Sequence, residues 1–304
     1  MRVERPHDER FARVAGLVAA GGGTALGAMS SGWPGAGAGL VAGAGLGLAV
    51  RHVLGRRTAR RRAALALPFP EKSRAFLLDR YDHFERLDPL WRARFEDDVR
   101  IFLVEKRITG VGVEATDELR LLVAASAVTL SVGWPEYEWD HLTEVLLYAQ
   151  NFERDHYTFD PGSDFVGEAP GLGTVILSVP ALLESFEVPD DAYHVGIHEF
   201  VHLLAPVEAD GSASEGLPRG LDGARGREWV AVAEKEMERL RHGRRSAFDE
   251  YGAHDPVEFL GVAVEAFFEV PQVVRRRHRE VYAILSSYFG QDPAAWDDER
   301  GVRE

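Results

Sequence analysis

The stretch AYHVGIHEFVHLLA, residues 192–205, places ionisable side chains inside an otherwise apolar helical pattern. Helix residues four apart share a face, so His198 and His202 are predicted to point in one direction, with Glu199 turned away by about 100°. Burying such groups without partners costs kilocalories per mole for each group. The fold must therefore bring partners to this helix, and this requirement constrains it more than any other feature of the sequence.

The three residues match the pattern H-E-x-x-H, in which two imidazoles bind Zn²⁺ and the glutamate acts as general base. The chain has no cysteine, so any metal site must be built from His, Asp and Glu. His194 lies one turn before His198, but three rings in a row on one helix give poor tetrahedral geometry. We expect His194 beside the metal site and not bound to the metal. The alternative is an ordinary buried helix without a metal.

A catalytic zinc site takes three protein ligands, and the third is sought in a later helix, residues 256–270. Its acidic candidates are Glu258, Glu265 and Glu269, of which Glu258 and Glu265 lie seven residues apart and share a helix face. Glu258 falls in the first turn, and Glu265 lies in the middle of an apolar run. Their spacing leaves both as candidates for the third ligand.

The sequence predicts an α+β domain, mostly helical with a small sheet. The proline-containing segment LALPFPEK predicts a boundary between an N-terminal segment, residues 1–67, and a domain, residues 68–304. Apolar periodicity predicts helices over residues 73–86, 89–106, 116–132, 190–205, 224–241, 256–270 and 271–288. Short runs rich in β-branched residues predict strands over residues 143–149 and 173–179.

The N-terminal segment contains two apolar, glycine-rich runs, residues 14–30 and 35–54, separated by SGWPG. Each run has about the length that crosses a bilayer core of roughly 30 Å. Arg10 and Arg13 precede the first run and the basic stretch RHVLGRRTARRR follows the second, and arginines beside a membrane span mark its cytoplasmic side. The segment is therefore predicted to form a membrane hairpin that holds the domain at the cytoplasmic face of the inner membrane. A segment that does not span the membrane, in a cytoplasmic protein, is the alternative.

Charge is divided unevenly between the two parts. Residues 1–70 carry ten arginines and three acidic residues, a net charge of +7, which leaves −21 for the rest of a chain whose total is −14. Phosphate binding needs a basic surface, so the acidic domain argues against nucleic acid as a partner.

Several stretches together resemble the Mlc titration factor A family of zinc-dependent peptidases. They are HEFVH, the segment DEYGAHDPVEF, the segment EAFFEVP, and the shorter stretches LVAASAVTLSVG, GTVILSVPAL, DGSASEGLP and YFGQDP. The resemblance covers residues 68–296, and the two motif helices are more distantly similar to the catalytic half of anthrax lethal factor. It implies a zincin-like metallopeptidase domain.

The resemblance also implies roles for individual residues. It implies zinc bound by His198, His202 and Glu258, with Glu199 as general base. In the family a tyrosine precedes the glutamate ligand by seven residues, which makes Tyr251 the phenol that stabilises the oxyanion. Glu265 then becomes a partner that orients a ligand histidine.

The expected function is hydrolysis of peptide bonds in a peptide or protein substrate, and the resemblance points to aminopeptidase action. Gly173 and Val175 would bind the substrate backbone by strand addition at an edge of the sheet, and a plain core strand is the alternative. A second hypothesis is a non-catalytic zincin-fold module that binds a regulatory protein. The intact metal motif favours the enzyme, because a binding module has no need of the general base.

Overall fold

The computed structural model describes residues 6–134, 139–150, 173–205 and 216–296. The chain divides into two compact units, residues 1–68 and residues 69–304. Each unit has its own internal organisation.

The first unit contains one continuous helix, α1 (Pro6–Ala66), with Pro34 inside it. The predicted helical hairpin is therefore wrong. Alanine, the strongest helix former, is abundant on both sides of the SGWPG segment, and a single proline removes only one backbone hydrogen bond. Within the described residues, no helix combines the length and the apolarity that crossing a bilayer requires.

Over its described residues, the second unit is of the α+β class, as predicted, mostly helical with a three-stranded parallel sheet in the order β1-β2-β3. Its strands are β1 (Arg107–Val111), β2 (Glu144–Tyr148) and β3 (Thr174–Ser178). Its helices are α2 (Glu71–Arg80), α3 (Asp82–Arg86), α4 (Pro89–Glu105), α5 (Asp117–Ser131), α6 (Val179–Glu187), α7 (Val195–His202), α8 (Gly223–Arg241), α9 (Pro256–Glu269), α10 (Pro271–Arg277) and α11 (Arg279–Phe289). A 3₁₀ turn (Glu250–Ala253) precedes α9.

Most predicted helices and both predicted strands are present, with ends shifted by a few residues. Two elements were not predicted, β1 and α6. Two predicted helices are each divided, the first at Tyr81, which has extended backbone, and the second at His278, whose φ of −128° and ψ of 54° are not helical. Tyr81 is buried, and its hydroxyl shares a hydrogen bond of 2.6 Å with that of Thr129. The helical pattern is local, whereas this contact joins residues far apart in the chain.

Helix α7 lies in the core between α5 and α9 and contacts both. Gly196 makes the close approach to α5 possible, because a Cβ atom at this position would come within 2.2 Å of Ser126 Oγ. Nearly all of α5 and α9 is buried. The helix that carries the H-E-x-x-H motif is thus held rigidly on two sides.

Glu269, at the end of α9, is a buried carboxyl whose Oε2 has no hydrogen-bond partner in the described structure. Burial raises its pKa from 4.5 to about 10, and the negative charges of Asp191 and Glu265 act in the same direction. The folded protein therefore holds a proton here that the unfolded chain releases above its ordinary pKa. The contribution of Glu269 to stability falls as the pH rises from the ordinary pKa towards about 10.

Replacing Glu269 by Gln is expected to remove this pH-dependent cost. Relative to wild type, the free energy of unfolding should rise by roughly 3 kcal/mol more at about pH 8 than at about pH 5. Urea denaturation at both pH values measures the difference. A Glu184→Gln variant, at an exposed carboxylate, is the control and should show no such change. Equal effects of the Glu269 substitution at the two pH values would contradict the expectation.

Candidate metal centre

Helix α7 brings together the three residues of the H-E-x-x-H motif. One ligand atom from each of His198, Glu199 and His202 lies within 4.8 Å of the other two. The two imidazole rings are 4.8 Å apart between centroids and nearly perpendicular, as expected for side chains one helical turn apart. Both rings are largely buried.

Glu258, in the first turn of α9, approaches both imidazoles. Its Oε2 lies 2.9 Å from Nε2 of His198 and 3.8 Å from Nε2 of His202. Asp255 caps this helix, and its carboxylate accepts hydrogen bonds from the backbone N–H groups of Val257 and Glu258. The cap fixes the position of the first turn, and thereby of the Glu258 carboxylate.

The distances fit a small tetrahedral cation. Ligand atoms at about 2.0–2.2 Å from a tetrahedral Zn²⁺ are roughly 3.3–3.5 Å apart, and the two distances from Glu258 Oε2 fall on either side of this value. Two imidazoles and one carboxylate are also a donor set used by catalytic zinc sites. The residues present therefore suit zinc.

Glu265 lies on the opposite side of the His198 ring. Its Oε2 is 2.9 Å from Nδ1 of His198, so the Nδ1–H group donates to the carboxylate and Nε2 remains directed towards Glu258. The other oxygen, Oε1, accepts a hydrogen bond of 2.8 Å from the backbone N–H of His194. A carboxylate in this position fixes the orientation and tautomer of a metal-binding histidine.

The titratable groups of the site have pKa values that are shifted in different directions. Burial acts to lower the pKa of His198, but the charge of Glu265 and the hydrogen bonds that the ring donates to Glu258 and Glu265 outweigh it, and this pKa is well above its usual value. Burial also acts to raise the pKa of Glu258, yet the hydrogen bond from His198 and the neighbouring imidazoles lower it. Burial lowers the pKa of His202 to about 4.

Glu199 differs from the other carboxylates of the site. Burial raises its pKa to about 7, and the charges of Glu258 and Glu265 act in the same direction, although the charge of His198 opposes them. A carboxylate with a pKa near neutrality is suited to taking up and releasing a proton, as a general base must.

His194 lies at the start of α7, and it is not one of the three residues, His198, Glu199 and His202, whose ligand atoms lie close together. It is fully buried and caps the helix, since its Nδ1 accepts a hydrogen bond of 3.3 Å from the backbone N–H of Ile197. Burial lowers its pKa to about 3, so the ring is neutral. Near the metal centre, His194 contributes its backbone N–H group, which donates a hydrogen bond to Glu265.

Tyr251 lies in the 3₁₀ turn before α9, and its ring centroid is 6.3 Å from that of His198. The backbone N–H of Tyr251 donates to Oδ1 of Asp249 at 2.8 Å, which starts the turn. The structure thus brings together Tyr251 and the residues of the motif, although they are about fifty positions apart in the sequence.

Val175 lies in β3, an edge strand of the described sheet, and Gly173 directly precedes this strand. Gly173 has a positive φ of 73°, and a Cβ atom there would come within 1.4 Å of the His141 carbonyl oxygen. Gly173 therefore allows the backbone to pass close to His141 of the same chain. The Val175 side chain is buried in the core, so it is not exposed to a peptide bound along the strand.

Gly261 is a further residue of the site, and it lies outside the motifs that point to the metal ligands. A Cβ atom at this position of α9 would lie 2.5 Å from Cε1 and 2.7 Å from Nδ1 of the His198 ring. Only glycine lets α9 pass this close to the imidazole. The sequence does contain a signal for this contact, because a glycine within an otherwise apolar helix often marks close packing.

Replacing Gly261 by Ala is expected to displace the His198 ring, because the new methyl group would overlap it. Zinc affinity should fall about 10- to 100-fold, and the free energy of unfolding by about 1–3 kcal/mol. Competition with a chromogenic chelator measures the affinity. Gly45→Ala is the matched control, since a Cβ atom there meets nothing within 4 Å. Unchanged zinc affinity in the Gly261 variant would contradict the close contact.

Comparison with known proteins gives a match to a family model described as glucose-regulated metallo-peptidase M90, over residues 56–290. An uncharacterized protein of Synechocystis sp. is 28% identical over 239 residues, covering 74% of this chain and 86% of the relative. Mlc titration factor A of Edwardsiella ictaluri is 28% identical over 242 residues, covering 74% and 88%. The protein of the same name from Yersinia enterocolitica is 26% identical over 200 residues, covering 60% and 71%. The range matched by the family model contains all the residues of the metal centre.

Proposed function

Because the chain belongs to the glucose-regulated metallo-peptidase M90 family, we propose that it is a zinc-dependent peptidase with a zincin-like catalytic domain. His198, His202 and Glu258 would bind the zinc. The observation that carries the proposal is the position of Glu258 Oε2, which faces Nε2 of both imidazoles from a different helix.

The proposed reaction is hydrolysis of a peptide bond. Zinc, when bound, supplies a Lewis acid that polarises a carbonyl group and acidifies water. Glu199 takes a proton from the attacking water and passes it to the leaving amine, a role that suits its pKa of about 7. The phenol of Tyr251 donates a hydrogen bond to the carbonyl oxygen as negative charge develops on it. Glu265 accepts the hydrogen bond from Nδ1–H of His198 and so directs Nε2 of the ring towards the proposed metal position.

The proposal is tested by metal analysis of the purified protein together with peptide hydrolysis. We expect about one zinc ion per chain, and hydrolysis that a chelator abolishes and added zinc restores. Paired substrates with free and acetylated N-termini test aminopeptidase action, because only an aminopeptidase requires the free amine. Hydrolysis that persists after complete removal of the metal would contradict the proposal.

The names of the relatives support a second candidate function. Two of them are called Mlc titration factor A, a name that describes titration of Mlc. By this analogy, the chain would bind a regulatory protein related to Mlc. A zinc-containing protein that binds such a regulator and hydrolyses no peptide would favour this function over the peptidase.

A further inference from the structure

Two basic segments of the second unit meet at His278, the residue between α10 and α11. Nε2 of His278 accepts a hydrogen bond of 3.3 Å from the backbone N–H of Ala247 and lies 3.5 Å from Oγ of Ser246. Nδ1 of the same ring donates to Oε2 of Glu236 at 3.0 Å. These contacts hold the loop after α8 against the junction of α10 and α11.

Five exposed arginines surround this junction, and we name them the arginine cluster: Arg244, Arg245, Arg276, Arg277 and Arg279. None of the five forms an ion pair with any residue that the structure describes. Their charge is available to a ligand.

Neighbouring cations do have acidic partners. Lys235 is paired with Glu280 at 2.7 Å, and Arg241 is 3.5 Å from Glu238. Acidic side chains are therefore present next to the arginine cluster, but they are engaged by other cations. The positive charge of the cluster is not neutralised from within the described structure.

The arginine cluster adjoins the segment that carries Tyr251 and Glu258. The ring of Phe248, two residues after Ser246, lies 4.3 Å from that of His278 and 5.4 Å from that of Phe259. Phe259 directly follows Glu258 in α9. The loop that continues from the arginine cluster thus packs against the helix turn of the metal centre.

We propose that the arginine cluster binds acidic side chains of the peptide or protein substrate, outside the residues that are cleaved. This inference rests on the proposed peptidase function. Guanidinium groups recognise carboxylates with paired hydrogen bonds, which favours acidic side chains as the ligand. An extended polyanion, such as a nucleic acid or an anionic membrane, would also meet the acidic surface beyond the cluster, and its binding would be opposed there.

The test measures binding apart from hydrolysis, using the full chain with Glu199→Gln so that the probe stays intact. The probes are a fluorescent peptide rich in glutamate and its counterpart with glutamine at the same positions. We expect the glutamate peptide to bind more tightly, and the double variant R276Q/R277Q to weaken its binding about fivefold to tenfold. High salt should remove the preference. R107Q/R227Q, which removes two exposed arginines elsewhere, is the matched control and should bind as the parent does.

Equal binding of the two peptides, or no effect of R276Q/R277Q, would overturn the inference. It would also be overturned if this double variant weakened binding to a thymidine oligonucleotide or to phosphatidylserine vesicles more than to the glutamate peptide. In a chain with Glu199 restored, R276Q/R277Q should lower kcat/KM for a glutamate-rich substrate and leave that for a neutral substrate unchanged. Absence of hydrolysis in wild type would count against the peptidase function alone, because peptide binding is measured without turnover.

Discussion

Replacing Glu199 by Gln is expected to lower kcat for peptide hydrolysis about a thousandfold while leaving the zinc content unchanged. Glutamine has nearly the same shape as glutamate but cannot accept a proton from water at neutral pH. The proposed ligand set of His198, His202 and Glu258 does not include Glu199, so this substitution removes a charge beside the site without removing a ligand. The measurement is steady-state hydrolysis of a small peptide beside metal analysis of the same preparation.

His202→Ala is the comparison variant for this experiment. It removes an imidazole that lies 3.8 Å from Glu258, and both zinc and hydrolysis should be lost. Two results would contradict the role of Glu199. One is full activity in the Glu199→Gln protein, and the other is a loss of zinc in that protein equal to the loss in His202→Ala.

Replacing Glu258 by Gln is expected to remove most of the bound zinc, whereas the same change at Glu265 should lower zinc affinity only about 10- to 100-fold. The two carboxylates contact different nitrogens of one ring. Glu258 faces Nε2 of His198 and of His202, while Glu265 accepts from Nδ1 of His198 and from the backbone of His194. A neutral amide is a weak ligand for zinc, but glutamine at position 265 can still accept a hydrogen bond.

Chelator competition gives the two affinities, and circular dichroism checks that both variants fold. The Glu265→Gln protein should regain hydrolysis when zinc is added in excess, because its ligand set is intact. The Glu258→Gln protein should not. If the Glu265 variant lost zinc while the Glu258 variant retained it, the assignment of the third ligand would be reversed.

Much of the secondary structure was predictable because its signals are local. The helix predicted over residues 116–132 is present as α5, and Oγ1 of Thr116 at its start accepts a hydrogen bond from the backbone N–H of Leu119. The breaks at Tyr81 and His278 were not predictable, since each depends on a contact with a residue far along the chain. The N-terminal hairpin was predicted from glycine, serine and proline in the middle of the segment, but the surrounding alanines continue the helix through it.

The sequence by itself determined that one helix carries His198, Glu199 and His202, because a spacing of four residues fixes a shared helix face. It could not choose between Glu258 and Glu265, which also share a face of their own helix. The tertiary structure separated them, since α9 crosses α7 so that one carboxylate reaches Nε2 and the other reaches Nδ1 of the same imidazole. Periodicity specifies directions around one helix axis, whereas the contacts between helices depend on how two axes cross. That crossing requires the glycine at position 261.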